Sequence, residues 1–555
     1  MLKQIQDILV DAGALTPLTS CPPKATGDYG TPLFSMAASR KESPQSVYQY
    51  LNPKVTHPFI KGTQFEGGYL TLSLDWVSIS KEYLNDLEVE IPCPQKTEDP
   101  VQKILLEYCS PNTNKALHIG HLRNNTLGAF LLKILALDPN KDVISACLIN
   151  DRGIHVCKSM LMYMKYPDAF KHIEKGDHFV GAYYAMYNEH ETPELEAEAR
   201  SLLIKWEAGD PDVRALWLDM REKVLKGFAK TNARLGVSFQ RVDFESDLYE
   251  KGKDQVLEAL SLGVCHLNEK GQVAFDLSKV GMEGEKILLR EDGTTFYLTQ
   301  DIGVASDRAK DLIGWDSYYY VVGDEQAYHF QTLAKILPHV CPEFKGSLRH
   351  IAYGMVELPE GRMQSRAGRV ILADDLMDAL KGMAYDRLDK DLPENVRQER
   401  AEKIGMAALK FYLLDAVSTS KIRFDMEAAL NPTGRSGAYI LYTYARLQGV
   451  ISKNSNEVHG DFTIPVTPLV KDLLKLHFSW EDAIMHALRN LDSGALTTHL
   501  FKLARLCNTI YNDPDHIVKN MNDQDREGMV RLFTKTAAMI KSTCDLLGIE
   551  VLEVM

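Results

Sequence analysis

Two histidines three apart, with a glycine between them and a lysine just upstream, mark the stretch SPNTNKALHIGHLRN, Ser110 to Asn124. On a helix His118 and His121 would share a face. Gly120 omits a side chain, so a flat or bulky group can approach the backbone. The stretch joins a short apolar run of strand type, KILLEYCS, to a segment in which Leu127, Phe130, Leu131, Ile134 and Leu135 recur at helical spacing. A helix that starts there presents free backbone N–H groups and the positive end of its dipole, and both favour phosphate. Two imidazoles and Lys115 converging on such an anion suit the stabilisation of charge that develops during transfer at phosphorus. That reaction needs neither a carboxylate pair nor a Ser or Cys nucleophile. A lone histidine at this place would be a helix-cap residue, but H-x-G-H with Lys115, Asn112 and a preceding strand is more specific.

The flanking pattern supplies the elements that position these residues. DVISACLIN follows the helical segment as a second buried strand, so strand, helix and strand form a βαβ unit and a parallel sheet. SYYYVVG and RHIAYGMVEL continue that sheet, and Lys165 to Leu235 reads as a helical insertion. The motif then sits at the carboxyl end of the sheet, where parallel α/β folds bind ligands. Residues 1–95 form a small α/β unit: an amphipathic helix, the turn-rich CPPKATGDYGTP, a helical stretch, and GGYLTLSLDWVSI as an alternating strand. IPCPQKTEDP is the linker that ends it. A Rossmann-like domain is predicted over 101–390, with the insertion at 165–235, and an all-α domain over 393–555.

At 555 residues the chain exceeds one core, and 45% apolar with 25% charged residues is ordinary globular composition. No run is long and apolar enough to suggest a membrane span, and MLKQIQDILVDAGAL carries acids in an amphipathic pattern unlike a signal peptide, so a cytoplasmic location is expected. The nine cysteines contain no C-x-x-C pair, which argues against a zinc ribbon or a disulfide framework; no protein-bound zinc is expected. A net charge of −13 argues mildly against nucleic-acid binding. Nearly all the excess acid lies upstream of Asn431, however, because the remainder holds 13 basic against 14 acidic residues, and a basic face there stays open.

HIGH behind a strand resembles the ATP-binding signature of class I aminoacyl-tRNA synthetases, and SPNTNKALHIGHLRN as a whole resembles the arginyl-tRNA synthetases, over essentially the full chain. The resemblance implies an α/β fold with a Rossmann-like catalytic domain, a small N-terminal α/β domain and an all-α anticodon-binding domain. It implies ligation of L-arginine to tRNA(Arg) through an arginyl-adenylate, with ATP and Mg2+, in a monomer with no membrane partner. His118, Gly120 and His121 would bind ATP. The family's second signature, K-M-S-K-S, matches GRMQSRAGRV, where Arg362, Met363, Ser365 and Arg366 fall in the signature. Ser365 replaces the second lysine; arginyl enzymes commonly lack it and use one just upstream of HIGH, here Lys115. Arg362 keeps the charge of the first lysine with a different hydrogen-bonding shape.

For the amino acid, the same resemblance assigns Ser110, Asn112 and His121 to its backbone end, and Glu245, Tyr297, Asp301 and Gln326 to substrate contacts; His329, three residues after Gln326, is placed facing ATP, with a helix-surface histidine as the other reading. Carboxylates suit the planar guanidinium, and a pocket of charged hydrogen bonds would reject lysine without editing. Glu245 alone would read as a surface acid, and Tyr297 as core. Asp28 and Tyr29 fit a G-D-Y pattern of the family's tRNA-contacting N-terminal domain, and Tyr439, Tyr442, Tyr444, Arg446 and Tyr511 offer anticodon stacking, with Tyr442 and Arg446 singled out. Two other readings remain: another adenylate-forming or nucleotidyl-transferring enzyme with H-x-G-H on the same fold, and a tRNA-binding paralogue without activity.

Overall fold

Ile104 to Glu107 are four consecutive buried residues, as a strand covered on both faces requires. In the computed structural model that strand, Gln102–Glu107, is the centre of a five-stranded sheet ordered Ser347–Tyr353, Ser317–Gly323, Gln102–Glu107, Lys141–Ile149, Arg241–Phe244. Every neighbouring pair is parallel. The structure describes all residues except 1, 17, 22–25, 312–313, 358–370, 417 and 455–460, and of residues 2–4 and 20 the backbone alone. From the central strand the chain crosses through the helix Ile119–Leu135 to Lys141–Ile149 and on to Arg241–Phe244, then returns to the other side at Ser317–Gly323. The order reverses between Gln102–Glu107 and Ser317–Gly323, so a ligand crevice opens beyond their carboxyl ends. The Rossmann-like parallel sheet agrees with the sequence pattern.

Between the two outer strands on one side lie the helices Ile154–Lys165, Gly176–Glu189, Pro193–Glu207 and Pro211–Leu235. The last two are started by Thr192 and Asp210, whose side chains accept backbone N–H groups of the first turn, each followed by a proline that needs no N–H partner. The N-terminal residues build an antiparallel sheet ordered Thr19–Ser20, Tyr29–Pro32, Tyr69–Leu74, Ile60–Glu66. The predicted strand GGYLTLSLDWVSI is corrected here: it stops at Leu74, and Trp76–Asn85 is a helix. Trp76, Ile79, Ser80 and Leu84 are buried at helical spacing, and the Trp76 ring stacks on Phe478 with centroids 6.3 Å apart. Packing against the C-terminal helices overrides β-type local preference.

From Glu394 onward the chain is largely helical, with Glu394–Asp415, Gly437–Asn454, Pro468–Phe478, Trp480–Asn490, Gly494–Asn512 and Asp523–Leu546 as its long helices. One buried polar contact ties this bundle to the N-terminal unit: His477 is 4% exposed, its Nδ1 lies 3.2 Å from the Tyr83 hydroxyl and its Nε2 2.9 Å from Thr536 Oγ1. Lys535 Nζ adds bonds to the carbonyls of Tyr83 and Asp86 at 3.2 and 2.8 Å. Among the described residues, no helix is long and apolar enough to cross a membrane.

Burial, with His499 and Lys535 nearby, lowers the His477 pKa to about 3. The unfolded chain therefore takes up a proton near pH 6.5 that the folded chain refuses, so this residue's contribution is complete above pH 6.5 and declines as pH falls. At pH 5 the expected loss is about 2 kcal/mol from this one residue. Denaturant midpoints at pH 7 and pH 5 should therefore lie closer together for His477→Gln than for the parent chain.

Candidate active site

The site begins where the central strand ends. Cys109 turns the chain with a φ of 62°, and its N–H donates to Asn124 Oδ1 at 2.6 Å, so the strand end is clamped to the helix Ile119–Leu135. Strand and helix touch at Gly128, where a Cβ would lie 2.1 Å from the Tyr108 ring. His118 is the N-cap of that helix, and a reciprocal pair of bonds follows. His118 Nδ1 accepts from the Gly120 N–H at 3.1 Å, and His121 Nδ1 accepts from the His118 N–H at 3.1 Å. H-x-G-H is thus a capping box with imidazoles in place of a hydroxyl and a carboxylate. Gly120 is required by the first ring, since a Cβ there would stand 2.9 Å from His118 Cε1. The two rings lie 3.9 Å apart between centroids.

Because both Nδ1 atoms accept, each neutral ring carries its proton on Nε2, and the cap presents two N–H donors beyond the helix start. Burial, reinforced by Lys115, lowers His118 to about 4; burial, His118 and Lys115 hold His121 well below the usual histidine range. The helix-cap reading of these residues therefore holds, and it leaves the Nε2–H of each ring outside the capping bonds. Gly181 of the helix Gly176–Glu189 abuts the backbone of Lys115 and Ala116, so the inserted helices support the motif from behind. Residues 371–373 are stitched to the cap: the Ile119 N–H donates to the Ile371 carbonyl at 3.1 Å and the Ala373 N–H to the Leu117 carbonyl at 2.8 Å. The signature positions Arg362, Met363, Ser365 and Arg366 lie outside the described residues.

Glu245 starts the helix Glu245–Ser261 directly after the edge strand, and Asp301 lies one turn into Tyr297–Asp311. These helices meet at two glycines: a Cβ on Gly252 would fall 2.0 Å from the Thr299 carbonyl oxygen, and one on Gly303 2.6 Å from the Gly252 nitrogen. Glu245 is no surface acid, since its side chain is only 15% exposed. Burial raises its pKa to about 7, with Asp151 and Asp301 adding to the rise and Arg152, 4.0 Å away, opposing it. Asp301 Oδ2 lies 2.5 Å from His329 Nε2, so His329 is already engaged with the pocket acid. Tyr297 is 78% exposed and is not core. Ser110 donates to Glu107 Oε1 at 3.3 Å, while Asn112 and Gln326 are exposed, Gln326 ending the turn Asp324–Gln326 after Ser317–Gly323.

The sequence reading missed Asn150 and Arg152. Asn150 donates to the Ser110 carbonyl at 3.1 Å and pairs with Asn112; Arg152 packs 3.8 Å from the Tyr249 ring centroid and 2.6 Å from Glu207. Their signal was position: Asn150 ends the stretch DVISACLIN and Arg152 follows it two residues on, at the carboxyl end of that strand. A second cluster, Asp177, His178 and Asp374, has ligand-type atoms within 4.8 Å of one another. Lys175 Nζ lies 2.8 Å from Asp177 and 2.7 Å from Asp374, so an ammonium already supplies the positive charge there.

Far from the cap in the chain, Asp28 accepts the Leu74 N–H at 2.8 Å and lies 3.8 Å from Lys475, which gives it a structural role. Tyr29 lines a cleft of about 460 Å³ with Lys475, Lys502, Arg505 and Thr509. Tyr444 is core at 4% exposure; Arg446 lies over the rings of Tyr442 and Tyr511 at 4.1 and 4.9 Å.

The family model for tRNA synthetases class I (R), catalytic domain, matches residues 87–426, and the DALR anticodon binding domain matches 440–555. The chain belongs to the class I arginyl-tRNA synthetase family. Arginine–tRNA ligase of Bacteroides thetaiotaomicron is 35% identical over 92% of this chain and 90% of its own length. That of Flavobacterium psychrophilum is 38% identical over 81% and 79%. Arginyl-tRNA synthetase of Thermus thermophilus has the same fold, with a TM-score of 0.78 at 23% identity over 100% of this chain and 99% of that one. In this synthetase the cap geometry fixes the imidazole tautomers. Ring 15N spectra between pH 6 and 8 should show His118 and His121 neutral, each protonated on Nε2, with no titration in that range.

Proposed function

We propose that the chain ligates L-arginine to tRNA(Arg) at the expense of ATP, and that the sheet edge described above carries both halves of the chemistry. The observation that carries this reading is one crevice edge combining a donor-lined helix start with two acids, Glu245 and Asp301, on helices locked together by glycine contact. Membership of the arginyl family supports it independently.

In the first step an arginine carboxylate oxygen attacks the α-phosphorus of ATP and pyrophosphate leaves, giving arginyl-adenylate. The Nε2–H groups of His118 and His121 and the Lys115 ammonium stabilise the charge that builds on the phosphate oxygens, and Gly120 lets the nucleotide lie close to the backbone. Arg362 and Arg366, at the family's second signature, add positive charge for the phosphates. Mg2+ would be held by the phosphates of ATP and would supply counter-charge to them, since the side chains at the cap are nitrogen donors, which suit phosphate rather than that ion. Glu245 and Asp301 accept from the substrate guanidinium, Tyr297 covers it, and Ser110, Asn112 and Gln326 hold the rest of the amino acid. In the second step a terminal ribose hydroxyl of the tRNA attacks the arginyl carbonyl and AMP leaves. The cleft with Tyr29, Lys475, Lys502 and Arg505 has the charge to meet tRNA phosphates. A cytoplasmic monomer fits this role in translation.

Arginine-dependent exchange of pyrophosphate into ATP, measured with and without tRNA(Arg), should be specific: lysine and citrulline should give none. Absence of exchange alongside intact tRNA binding would leave a tRNA-binding paralogue instead.

A second expectation concerns pH. A guanidinium needs Glu245 ionised, and the empty pocket holds this acid near pH 7, with Asp151, Asp301 and Arg152 facing it. Arginine affinity should therefore be greatest above pH 7 and fall by up to about tenfold per unit below it. Calorimetric titration from pH 6 to 8 should show that slope in the parent chain, and a weaker, flat response in Glu245→Gln.

A further inference from the structure

Arg308 has no exposed surface, yet none of the candidate substrate contacts involves it. It lies seven residues, two helical turns, beyond Asp301 on Tyr297–Asp311. Its Nη1 donates to Glu107 Oε2 at 2.5 Å and to the Tyr320 hydroxyl at 3.3 Å. Its Nε donates to Asp243 Oδ2 at 2.9 Å, and Nη2 lies 2.7 Å from the same oxygen. One guanidinium thus reaches across one face of the sheet. Tyr320 and Glu107 are register partners on adjacent strands, Ala146 is next in that row, and Asp243 stands on the edge strand beyond. Only a small residue at Ala146 leaves the span open. Arg241 Nε holds the other Asp243 oxygen at 2.7 Å and its Nη2 reaches Asp311 at 3.1 Å, so Asp243 is shared between two guanidiniums.

Two of the three partners of Arg308, and its own helix, lead to pocket residues. Glu107 accepts the Ser110 hydroxyl on its second oxygen, Asp243 precedes Glu245 by two residues, and Arg308 shares a helix with Asp301. We infer that Arg308 is a positioning residue for arginine: its buried guanidinium fixes Ser110, Glu245 and Asp301 relative to one another. The inference rests on the pocket reading given under the proposed function. A planar fork is needed, because a single ammonium cannot span Glu107, Tyr320 and Asp243 at once. The cap that faces the nucleotide is built on a different helix, and none of the Arg308 hydrogen bonds reaches it directly.

Steady-state exchange by the full-length chain, at a temperature where circular dichroism shows every variant folded, separates the possibilities. Arg308→Lys should raise the arginine KM about tenfold or more while leaving the ATP KM within about twofold, as expected when pocket groups are misplaced and the cap is not. Glu107→Gln and Asp243→Asn keep side-chain shape, weaken one arm each, and should give smaller rises confined to arginine; they decide the matter if Arg308→Lys does not fold. Glu245→Gln runs alongside. If it leaves the arginine KM unchanged, the pocket reading itself fails. If it raises that KM while the folded Arg308, Glu107 and Asp243 variants do not, or raise both KM values equally, Arg308 is a structural residue only and the inference is overturned.

Discussion

The first turn of Ile119–Leu135 must find partners for N–H groups that no helix can satisfy internally, and the rest of the site is arranged around that need. Serine or aspartate would satisfy them more simply. Histidine at the N-cap and at the third helical position does so with Nδ1 and leaves Nε2–H of each ring directed elsewhere. The same bonds that stabilise the helix therefore set the tautomer and aim of two donors. Burial then keeps both rings neutral, so each presents a directed dipole and not a full charge. Glycine at position 120 follows from ring geometry before any ligand is considered.

Opposite demands apply to the acids. A carboxylate buried enough to discriminate among cations resists ionisation until its cation arrives, and Glu245, raised to about 7, sits at that balance. Arg152 at 4.0 Å and the His329–Asp301 contact offset part of the cost without filling the guanidinium's place. Where a full guanidinium does lie among acids, at Arg308, the burial is complete and the role is internal. The fold uses one pairing chemistry twice, once to hold the pocket together and once, in the proposed reading, to recognise what enters it.

The parallel sheet and the strand-to-helix placement of H-x-G-H were legible because both depend on local patterns: buried apolar runs, helical spacing, and a junction rich in polar residues. The helix Trp76–Asn85 was not, since its decisive partner, Phe478, lies some four hundred positions away in sequence. Glu245 resembled a surface acid because its burial is imposed by the inserted helices through Arg152 and by the Gly252–Gly303 contact, neither of which has a local signature. Asp28 and Tyr444 illustrate the converse. Their residue types suited RNA contact, yet a strand end and a helix core, respectively, already use them.

Net charge shows the same limit of averages. A chain at −13 has no general attraction for phosphate, but the sign of a surface is set by which charges face it. Many upstream acids are consumed in pairs with buried or half-buried cations: Glu107 and Asp243 on Arg308, Asp151 on Arg221, Asp374 on Lys175. Within the nearly neutral stretch from Asn431 onward, Lys475, Lys502 and Arg505 line one cleft, with Asp472 as the one acid lining it among the described residues. A polyanion approaching that cleft meets local positive charge within a Debye length of about 8 Å, while the distant excess acid is largely screened. Local charge of this kind reconciles an acidic protein with an anionic macromolecular substrate.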